Sequence, residues 1–430
     1  MIRLELGSVF NINDYDELAR MFLPRGEYEL VYAKADNFES VPVKLEKLRE
    51  IYNTLSDKTG RSLSWGVLTG VKPVKLYTQL LDENKLKVDY LVSEEKIRLL
   101  RRVYDRQKTS ITDFPEEGLV SVYIGIPFCP TRCSYCTFTS GVGTEKQMGE
   151  YLDALFKELD FMPRGIRAES VYIGGGTPTA LPYPMFEELL SRVNEKLLHD
   201  ETELTVEAGR PDTIDMRKAE SMAKLDARVS VNPQTMKDET LKLIGRAHTA
   251  ADSIEAFGIV RAAGVKNINA DIIAGLPGEN VRDFENTLEK TDAENITLHT
   301  LALKKGSALR ERDGTEAYYS DASDTAEMLK VADKKLSERG MEPYYLYRQK
   351  QTVGNLENTG YSKSGLECVY NMRMMQERQC VVALGAGAVS KLYFRDEDRI
   401  ERVFNVADTG LYVARLHDMI ERKRRLFEAI

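Results

Sequence analysis

Three cysteines with the spacing CxxxCxxC are the residues in this chain best suited to chemistry. Cys129, Cys133 and Cys136 follow a short run of β-branched and aromatic residues, Val120–Ile124. Three thiolates are one fewer than a zinc ion or a four-iron cluster normally takes from a protein. An iron–sulfur cubane held by these cysteines would keep one iron open to a small molecule. The spacing therefore predicts a reactive metal centre.

Two other uses of the same cysteines have to be weighed, namely a disulfide beside a free thiol and a structural zinc with a distant fourth ligand. The chain has only five cysteines. Its first residues alternate like a strand and lack the features of a signal or transit sequence, so we expect a cytoplasmic protein whose thiols stay reduced. Zinc sites more often use paired CxxC motifs, and none of the four histidines lies beside the cysteines. The open cluster is favoured over both alternatives.

Composition disfavours two classes of partner. The net charge is -8 at pH 7 and the pI is about 5.4, which disfavours a broad nucleic-acid surface. The longest apolar runs, such as Cys380–Leu384, are far too short to cross a bilayer. We therefore expect neither nucleic acid nor a membrane as a partner.

The elements that would position the cysteines follow an alternating pattern, in which short β-branched runs are separated by helical periodicity. This pattern predicts an α/β fold with βαβ crossovers and a parallel sheet. Six such strands suit a partial (βα)₆ barrel, in which ligands gather at the carboxyl ends of the strands. The candidate strands are Val120–Ile126, Ser170–Ile173, Glu203–Glu207, Arg228–Val231, Asn267–Ile273 and Asn295–Ala302, and the helical segments between them include Met148–Leu159, Met185–Leu198 and Ala250–Ala263.

Patterning along the chain suggests three regions. Residues 1–115 are predicted to form an accessory domain, residues 116–305 the barrel core, and residues 306–430 a third domain that completes the substrate site. The third region has a long helical pattern over Asp324–Arg339. Its basic run Ile420–Arg425 is predicted to be a solvated helix end.

The motif IPFCPTRCSYC resembles the cluster loop of the radical S-adenosylmethionine (SAM) enzymes, and in this form that of the oxygen-independent coproporphyrinogen III oxidase (coproporphyrinogen dehydrogenase) family. Within that family the chain is similar to the branch with an extra N-terminal region. The resemblance implies a TIM-like partial (βα)₆ barrel with N- and C-terminal α/β additions, and a [4Fe-4S] cluster on Cys129, Cys133 and Cys136. It also implies SAM on the open iron, as one or two molecules, and an external electron donor of the flavodoxin or ferredoxin type.

Several further residues match the family in type and order. A glycine run after a strand exposes backbone groups to a ligand, although alone it is a weak signal. Its interval after the cysteines matches the loop that binds the SAM amino group in the family. Tyr123, six residues before the first cysteine, is grouped with the three cysteines as catalytic. The cofactor contacts that the resemblance implies are Tyr123, Tyr135, Phe138, Gly174, Gly175, Gly176, Thr177, Glu207, Gln234, Arg246, Asp271 and Ala302, with Val389 as a weaker candidate.

Two positions depart from the family pattern. Phe138 stands where well-known coproporphyrinogen oxidases have a fourth cysteine, and the resulting CxF ending also occurs in relatives that bind or hand over heme. The N-terminal-extended branch shares that ending. Asn232-Pro233 replaces a glycine-hydrophobic pair before Gln234, which stiffens the local backbone.

The resemblance implies oxidative decarboxylation of coproporphyrinogen III to protoporphyrinogen IX. A heme chaperone or carrier on the same scaffold is the alternative from another class, and a radical SAM enzyme acting on heme is the third. Tetrapyrrole carboxylates suit a bidentate cation, so we expect arginines in the pocket. Arg132, Arg310, Arg348 and Arg373 are candidates, although each alone is predicted to be a surface residue.

Overall fold

Six parallel strands in chain order form the centre of the molecule. The computed structural model describes residues 1–35, 37, 39–70, 72–138, 140–162, 167–314 and 322–427. Within these residues, eleven of the thirteen strands form one sheet, in the order β13-β12-β11-β3-β4-β5-β6-β7-β8-β10-β9. The strands are β1 (Ile2–Val9), β2 (Tyr28–Lys34), β3 (Leu119–Ile126), β4 (Arg167–Gly175), β5 (Glu203–Ala208), β6 (Arg228–Val231), β7 (Ile268–Ala274), β8 (Asn295–Thr300), β9 (Glu342–Arg348), β10 (Glu357–Ser362), β11 (Val381–Leu384), β12 (Val389–Phe394) and β13 (Arg399–Phe404).

Strands β3 to β8 confirm the predicted barrel strands and their order. Each pairs in parallel with the next. Their side chains are mostly buried on both faces, because helices cover the outside and other residues fill the inside. Strand β8 ends at Thr300, so Ala302 lies in the following segment. The helices are α1 (Asn13–Phe22), α2 (Val41–Thr59), α3 (Pro73–Leu80), α4 (Glu83–Val88), α5 (Glu94–Ser110), α6 (Glu145–Asp160), α7 (Tyr183–Leu197), α8 (Met216–Lys224), α9 (Asp238–Leu243), α10 (Ala250–Ala262), α11 (Val281–Lys290), α12 (Ala308–Asp313), α13 (Ala322–Glu338), α14 (Val369–Gln376), α15 (Thr409–Ala414) and α16 (Leu416–Phe427).

Strands from the C-terminal part of the chain extend the sheet on both sides. On one side β11 pairs in parallel with β3, with Val381 opposite Ser121. On the other side β10 pairs antiparallel with β8, with Tyr361 opposite Ile296. The barrel strands are therefore enclosed by residues that follow them in the sequence. The proposed boundaries near residues 115 and 305 stay a prediction.

The N-terminal region has its own small parallel pair, β1 with β2, and joins the main sheet through helices α3 and α5. One buried polar link between this region and the main sheet is made by the Glu357 carboxylate on β10. That carboxylate accepts hydrogen bonds from Trp65 Nε1 at 2.7 Å and from Lys96 Nζ at 2.7 Å. All three side chains are buried. Burial opposes ionisation of Glu357, but the Lys96 ammonium outweighs it and lowers the pKa of that carboxyl.

The C-terminal helix α16 is anchored by a buried ion pair. Lys423 binds Glu158 on α6, and both side chains are almost fully buried. The prediction that the basic run Ile420–Arg425 is solvated is therefore wrong at Lys423. Side chains one helical turn apart share a face of the helix, and Lys423 lies on the face of α16 that packs against the core. Glu158 also accepts hydrogen bonds from Tyr412 Oη at 2.6 Å and from the Gly385 amide at 2.7 Å. Glu158 thus connects both α16 and the glycine-rich loop between β11 and β12 to α6.

Across the part of the chain that the structure describes, none of the helices is both long and apolar enough to span a bilayer.

Candidate active site

The loop that contains the three cysteines lies between β3 and α6, at the carboxyl end of the barrel. Backbone contacts from other segments define its course. The Ser134 amide donates to Ile244 O at 2.9 Å, and the Leu309 amide donates to Ser134 O at 2.8 Å. Near the loop's start, the Cys129 amide donates to Gly141 O at 3.1 Å. The loop is therefore held by the protein itself.

The three cysteines of the loop have three possible uses, namely an open cluster, a disulfide beside a free thiol and a structural zinc site. All five cysteines of the chain are free thiols, and those at 129, 133 and 136 are half-buried. Among the described residues, no three His, Cys, Asp or Glu side chains are grouped closely enough to hold one metal ion. The three cysteines are free thiols on one loop, so they are available as ligands.

Arg246 lies directly behind the loop. Its Nη1 is 4.0 Å from Cys133 Sγ and donates to Tyr135 Oη at 3.1 Å. Its Nη2 donates to the carbonyl oxygens of Gly209 at 2.6 Å and Asn232 at 2.7 Å. The guanidinium is buried, so its charge acts on the cysteine in surroundings that screen it weakly.

A second guanidinium, that of Arg210, reaches the same cysteine. Its Nη1 is 4.0 Å from Cys133 Sγ and donates to Thr131 Oγ1 at 2.8 Å. Arg210 is absent from the candidates found in the sequence. The available signal was its place two residues after β5, at the same end of the barrel as the cysteines.

The glycines at the end of β4 approach the loop more closely than any side chain would permit. A Cβ on Gly176 would lie 2.6 Å from Phe128 O, and one on Gly174 would lie 2.8 Å from Glu207 Oε2. The Thr177 amide donates to Phe128 O at 2.7 Å, while its Oγ1 is 3.5 Å from Cys129 Sγ. The glycine run and the cysteine loop therefore lie in direct contact and form one continuous surface. On this surface the backbone of Gly174–Gly176 forms a cradle that could receive a ligand.

Glu207, the penultimate residue of β5, lies beside this cradle. It accepts hydrogen bonds from Tyr172 Oη at 2.6 Å and from the Gly175 amide at 3.3 Å. Burial raises the pKa of Glu207 to about 7, against the hydrogen bond from Tyr172, and the charge of Asp271 adds to the rise. A cation beside this carboxyl would favour its ionised form.

Gln234, three residues after β6, is linked through the backbone to Asp271 on β7. The Gln234 amide donates to Asp271 O at 3.0 Å, and Gln234 adopts a left-handed conformation with φ of 67°. The Asp271 carboxylate accepts from Asn269 Nδ2 at 2.9 Å and lies 3.4 Å from His299 Nε2. Among the described residues, buried Gln234 Oε1 has no hydrogen-bond partner. A ligand that donates to it would satisfy that atom.

Aromatic side chains line the inner face of the barrel below Glu207. Tyr172 stacks on Tyr370 of α14 with ring centroids 4.7 Å apart, and Tyr123 stacks on both at 6.3 and 6.4 Å. The Tyr123 hydroxyl lies beside the glycine run, since a Cβ on Gly175 would be 3.1 Å from it. Tyr123 thus faces the same surface as Glu207.

The remaining predicted residues lie farther out. Phe138 is 68% exposed, so it projects from the loop towards solvent. Ala302 forms an isolated bridge with Thr352. Val389 begins β12 and pairs with Phe404. These positions therefore lack the close contacts that join the glycine run, Glu207 and the cysteine loop.

The arginines expected to bind substrate carboxylates lie in different surroundings. Arg132 is exposed and Arg310 is half-buried. Arg348 and Arg373 are buried, so the prediction that they are surface residues is wrong. Arg373 forms a bidentate ion pair with Glu169 at 2.8 and 2.7 Å, and Arg348 donates to backbone carbonyl oxygens. Both cations stabilise packing between regions of the chain.

Comparisons with known proteins agree with this site. Residues 123–291 match the model of the radical SAM superfamily. The chain is 38% identical to the oxygen-independent coproporphyrinogen-III oxidase-like protein HemZ of Bacillus subtilis over 402 residues, covering 88% of this chain and 80% of that protein. It is 29% identical to the heme chaperone HemW of the same organism, covering 62% of this chain and 70% of the chaperone.

The fold is also similar to a solved structure. Coproporphyrinogen III oxidase (HemN) from Escherichia coli superimposes with a TM-score of 0.57 at 20% identity, covering 73% of this chain and 72% of that one. This similarity agrees with the six parallel strands at the centre of the fold. The chain therefore belongs to the radical SAM superfamily and, within it, to the group of oxygen-independent coproporphyrinogen-III oxidase-like proteins.

Proposed function

We propose that this protein binds a [4Fe-4S] cluster and SAM and catalyses the oxidative decarboxylation of coproporphyrinogen III to protoporphyrinogen IX. The observation that carries the proposal is the continuous surface formed by three free thiols, the Gly174–Gly176 cradle and the Glu207 carboxyl. The coproporphyrinogen-III oxidase-like relative is similar over 88% of this chain, whereas the heme chaperone is similar over 62% of it. This difference supports oxidation as the activity.

Each residue of the surface has a distinct role in the proposal. Cys129, Cys133 and Cys136 hold the cluster, and the glycine backbone receives the SAM amino group beside Glu207. The pKa of Glu207 is raised. A bound ammonium group would favour the ionised carboxylate, so Glu207 would release its proton and form an ion pair with that group. Asp271 and the unpartnered Gln234 Oε1 offer further acceptors for SAM.

When bound, the reduced cluster and SAM would supply a 5′-deoxyadenosyl radical that removes a hydrogen atom from the β-carbon of a propionate. The propionate then loses carbon dioxide and passes one electron to an external acceptor, which gives a vinyl group. Two propionates react in this way. The residues of the chain orient the reactants and exclude water, and the stacked tyrosines offer an apolar wall to a tetrapyrrole.

A heme chaperone or carrier is the second candidate. Phe138 occupies the position of the fourth cysteine of well-known oxidases, and its exposure leaves it outside the cradle. The similarity to HemW, at 29% identity over 62% of this chain, also supports this candidate, although less than the oxidase-like relative supports oxidation. In that case the same cradle would serve assembly rather than decarboxylation.

An anaerobic assay separates the candidates. Cluster-loaded protein is incubated with SAM, a strong reductant and coproporphyrinogen III, and the products are analysed by mass. We expect 5′-deoxyadenosine and a porphyrin that lacks two carboxyl groups. Cys133→Ala should abolish both products, while the matched control Cys380→Ala, a thiol outside the site, should retain them. Tight heme binding without either product would support the chaperone, and SAM cleavage without porphyrin change would indicate another substrate, including heme.

A further inference from the structure

Two buried guanidiniums converge on one cysteine of the loop, and the family resemblance accounts for only one of them. Arg246 and Arg210 each place Nη1 4.0 Å from Cys133 Sγ. Arg210 is only 2% exposed. A cation as deeply buried as this is costly unless its contacts compensate for lost hydration. Its partners therefore indicate what it does.

Arg210 contacts the loop with one edge of its guanidinium and a carboxylate with the other. Nη1 donates to Thr131 Oγ1 at 2.8 Å and to Thr131 O at 3.3 Å. Nε and Nη2 donate to the two carboxylate oxygens of Asp212 at 3.2 and 3.4 Å. The nitrogen that lies 4.0 Å from Cys133 Sγ is Nη1, which does not bond to Asp212, so the carboxylate offsets only part of the field of the cation at the loop.

The neighbouring His248 contributes little charge to this arrangement. Its Nδ1 lies 3.8 Å from Asp212 Oδ1, but burial, reinforced by Arg246, lowers the pKa of His248 to about 4. The imidazole is thus neutral near pH 7. Asp212 also lines a cavity of about 340 Å³ on the outer side of the loop, together with Cys129 and Lys218.

We propose that Arg210 is a positioning residue for the cluster, which fixes the Thr131–Cys133 segment and raises the cluster's reduction potential, while Asp212 moderates that effect. Reduction adds one electron from the external donor, and a cation near a ligand sulfur stabilises the more negative product. This inference rests on the cluster of the proposed function but not on its substrate.

Three variants of the full-length, cluster-loaded protein test the inference through the midpoint potential, measured by electron paramagnetic resonance without a tetrapyrrole. Arg210→Gln removes the cation and should lower the equilibrium constant for reduction about tenfold, which is 59 mV for a one-electron couple. Asp212→Asn removes the counterion and should shift the potential in the opposite direction. Arg210→Lys keeps the charge and should restore most of the wild-type value.

The opposite signs distinguish an electrostatic role from a structural one. Arg210→Gln and Asp212→Asn break the same ion pair, so a structural role would shift both potentials in the same direction or leave both unchanged, and either result overturns the inference. If Arg210→Gln binds no cluster, Asp212→Asn and Arg210→Lys decide, and an unchanged potential in Asp212→Asn overturns it. A wild-type protein that binds no cluster would instead contradict the proposed function.

Discussion

Buried polar residues give the site its chemical character. Burial and the charge of Asp271 favour the protonated form of Glu207, against the hydrogen bonds that its carboxyl group accepts from Tyr172 and the Gly175 amide. Glu207 could be proposed from the sequence because its order after the glycine run matches the family that the chain resembles. Arg210 could not, because nothing in the local pattern distinguishes a loop arginine near solvent from one that reaches Cys133 across the barrel mouth. Lys423 was misassigned for the same reason.

The raised pKa of Glu207 predicts a specific dependence of stability on pH. The folded protein keeps this proton up to about pH 7, whereas an unfolded glutamate releases it near 4.5. The folded state binds more protons in this window, so the contribution of Glu207 to the free energy of unfolding falls as pH rises from about 4.5 to about 7. The loss is up to about 3 kcal/mol, at about 1.4 kcal/mol per pKa unit.

Urea unfolding of the unliganded protein across this window checks the prediction. Glu207→Gln should remove the decrease, so the wild-type and variant free energies should diverge with increasing pH. Glu201→Gln, an exposed position just before β5, serves as the control and should follow the wild type. Parallel curves for the wild type and Glu207→Gln would contradict the raised pKa.

At the scale of elements, the barrel strands were predictable and their neighbours were not. Each strand from β3 to β8 is a short run of β-branched residues followed by a helical segment, and right-handed crossovers fix their order. The pairing of β11 with β3 depends on contacts between residues about 260 positions apart. Local periodicity has no information on such contacts, so the sequence could not show that the later strands complete this sheet.

The close approach of the β4 loop to the cysteine loop predicts a steric effect. Gly176→Ala would place a Cβ 2.6 and 2.8 Å from the carbonyl oxygens of Phe128 and Ile126. Because these are backbone atoms, we expect a loss of about 1–3 kcal/mol in the free energy of unfolding, together with weaker SAM binding. Denaturant unfolding and SAM titration measure the two effects.

A second glycine supplies the control. Gly258 lies in α10, is exposed, and has no heavy atom within 4 Å of an added Cβ. Gly258→Ala should therefore raise the free energy of unfolding by about 0.5–1 kcal/mol, because alanine is favoured in helices, and leave SAM binding unchanged. Equal effects of the two substitutions would contradict the steric argument.

At the scale of the whole molecule, a buried ion pair joins the N-terminal region to the main sheet. Lys96 and Glu357 lie 2.7 Å apart, with side-chain exposures of 7% and 3%. Trp65 donates to the same carboxylate. The partner of Trp65 on β10 lies 292 residues away in the sequence and could not be identified from local patterns.

Breaking this pair should destabilise the whole protein. Lys96→Met would leave Glu357 charged and buried, and we expect a loss of about 3–5 kcal/mol in the free energy of unfolding. The double variant Lys96→Met/Glu357→Gln should recover part of the loss, because glutamine is neutral and still accepts from Trp65. Denaturant unfolding compares the variants. Lys108→Met, an exposed change on the same helix, should stay within about 0.5 kcal/mol; a similar loss there would contradict the prediction.

The place of β11 beside β3 has a consequence for how the protein is made. During synthesis β3 emerges long before β11, its neighbour in the sheet. Until β11 arrives, one side of β3 presents unpaired amides and carbonyls, which can pair with another chain. Pairing over so long a sequence separation is also slow. The nascent barrel therefore passes through an aggregation-prone stage, in which holdase chaperones would be most needed between the emergence of β8 and that of β11.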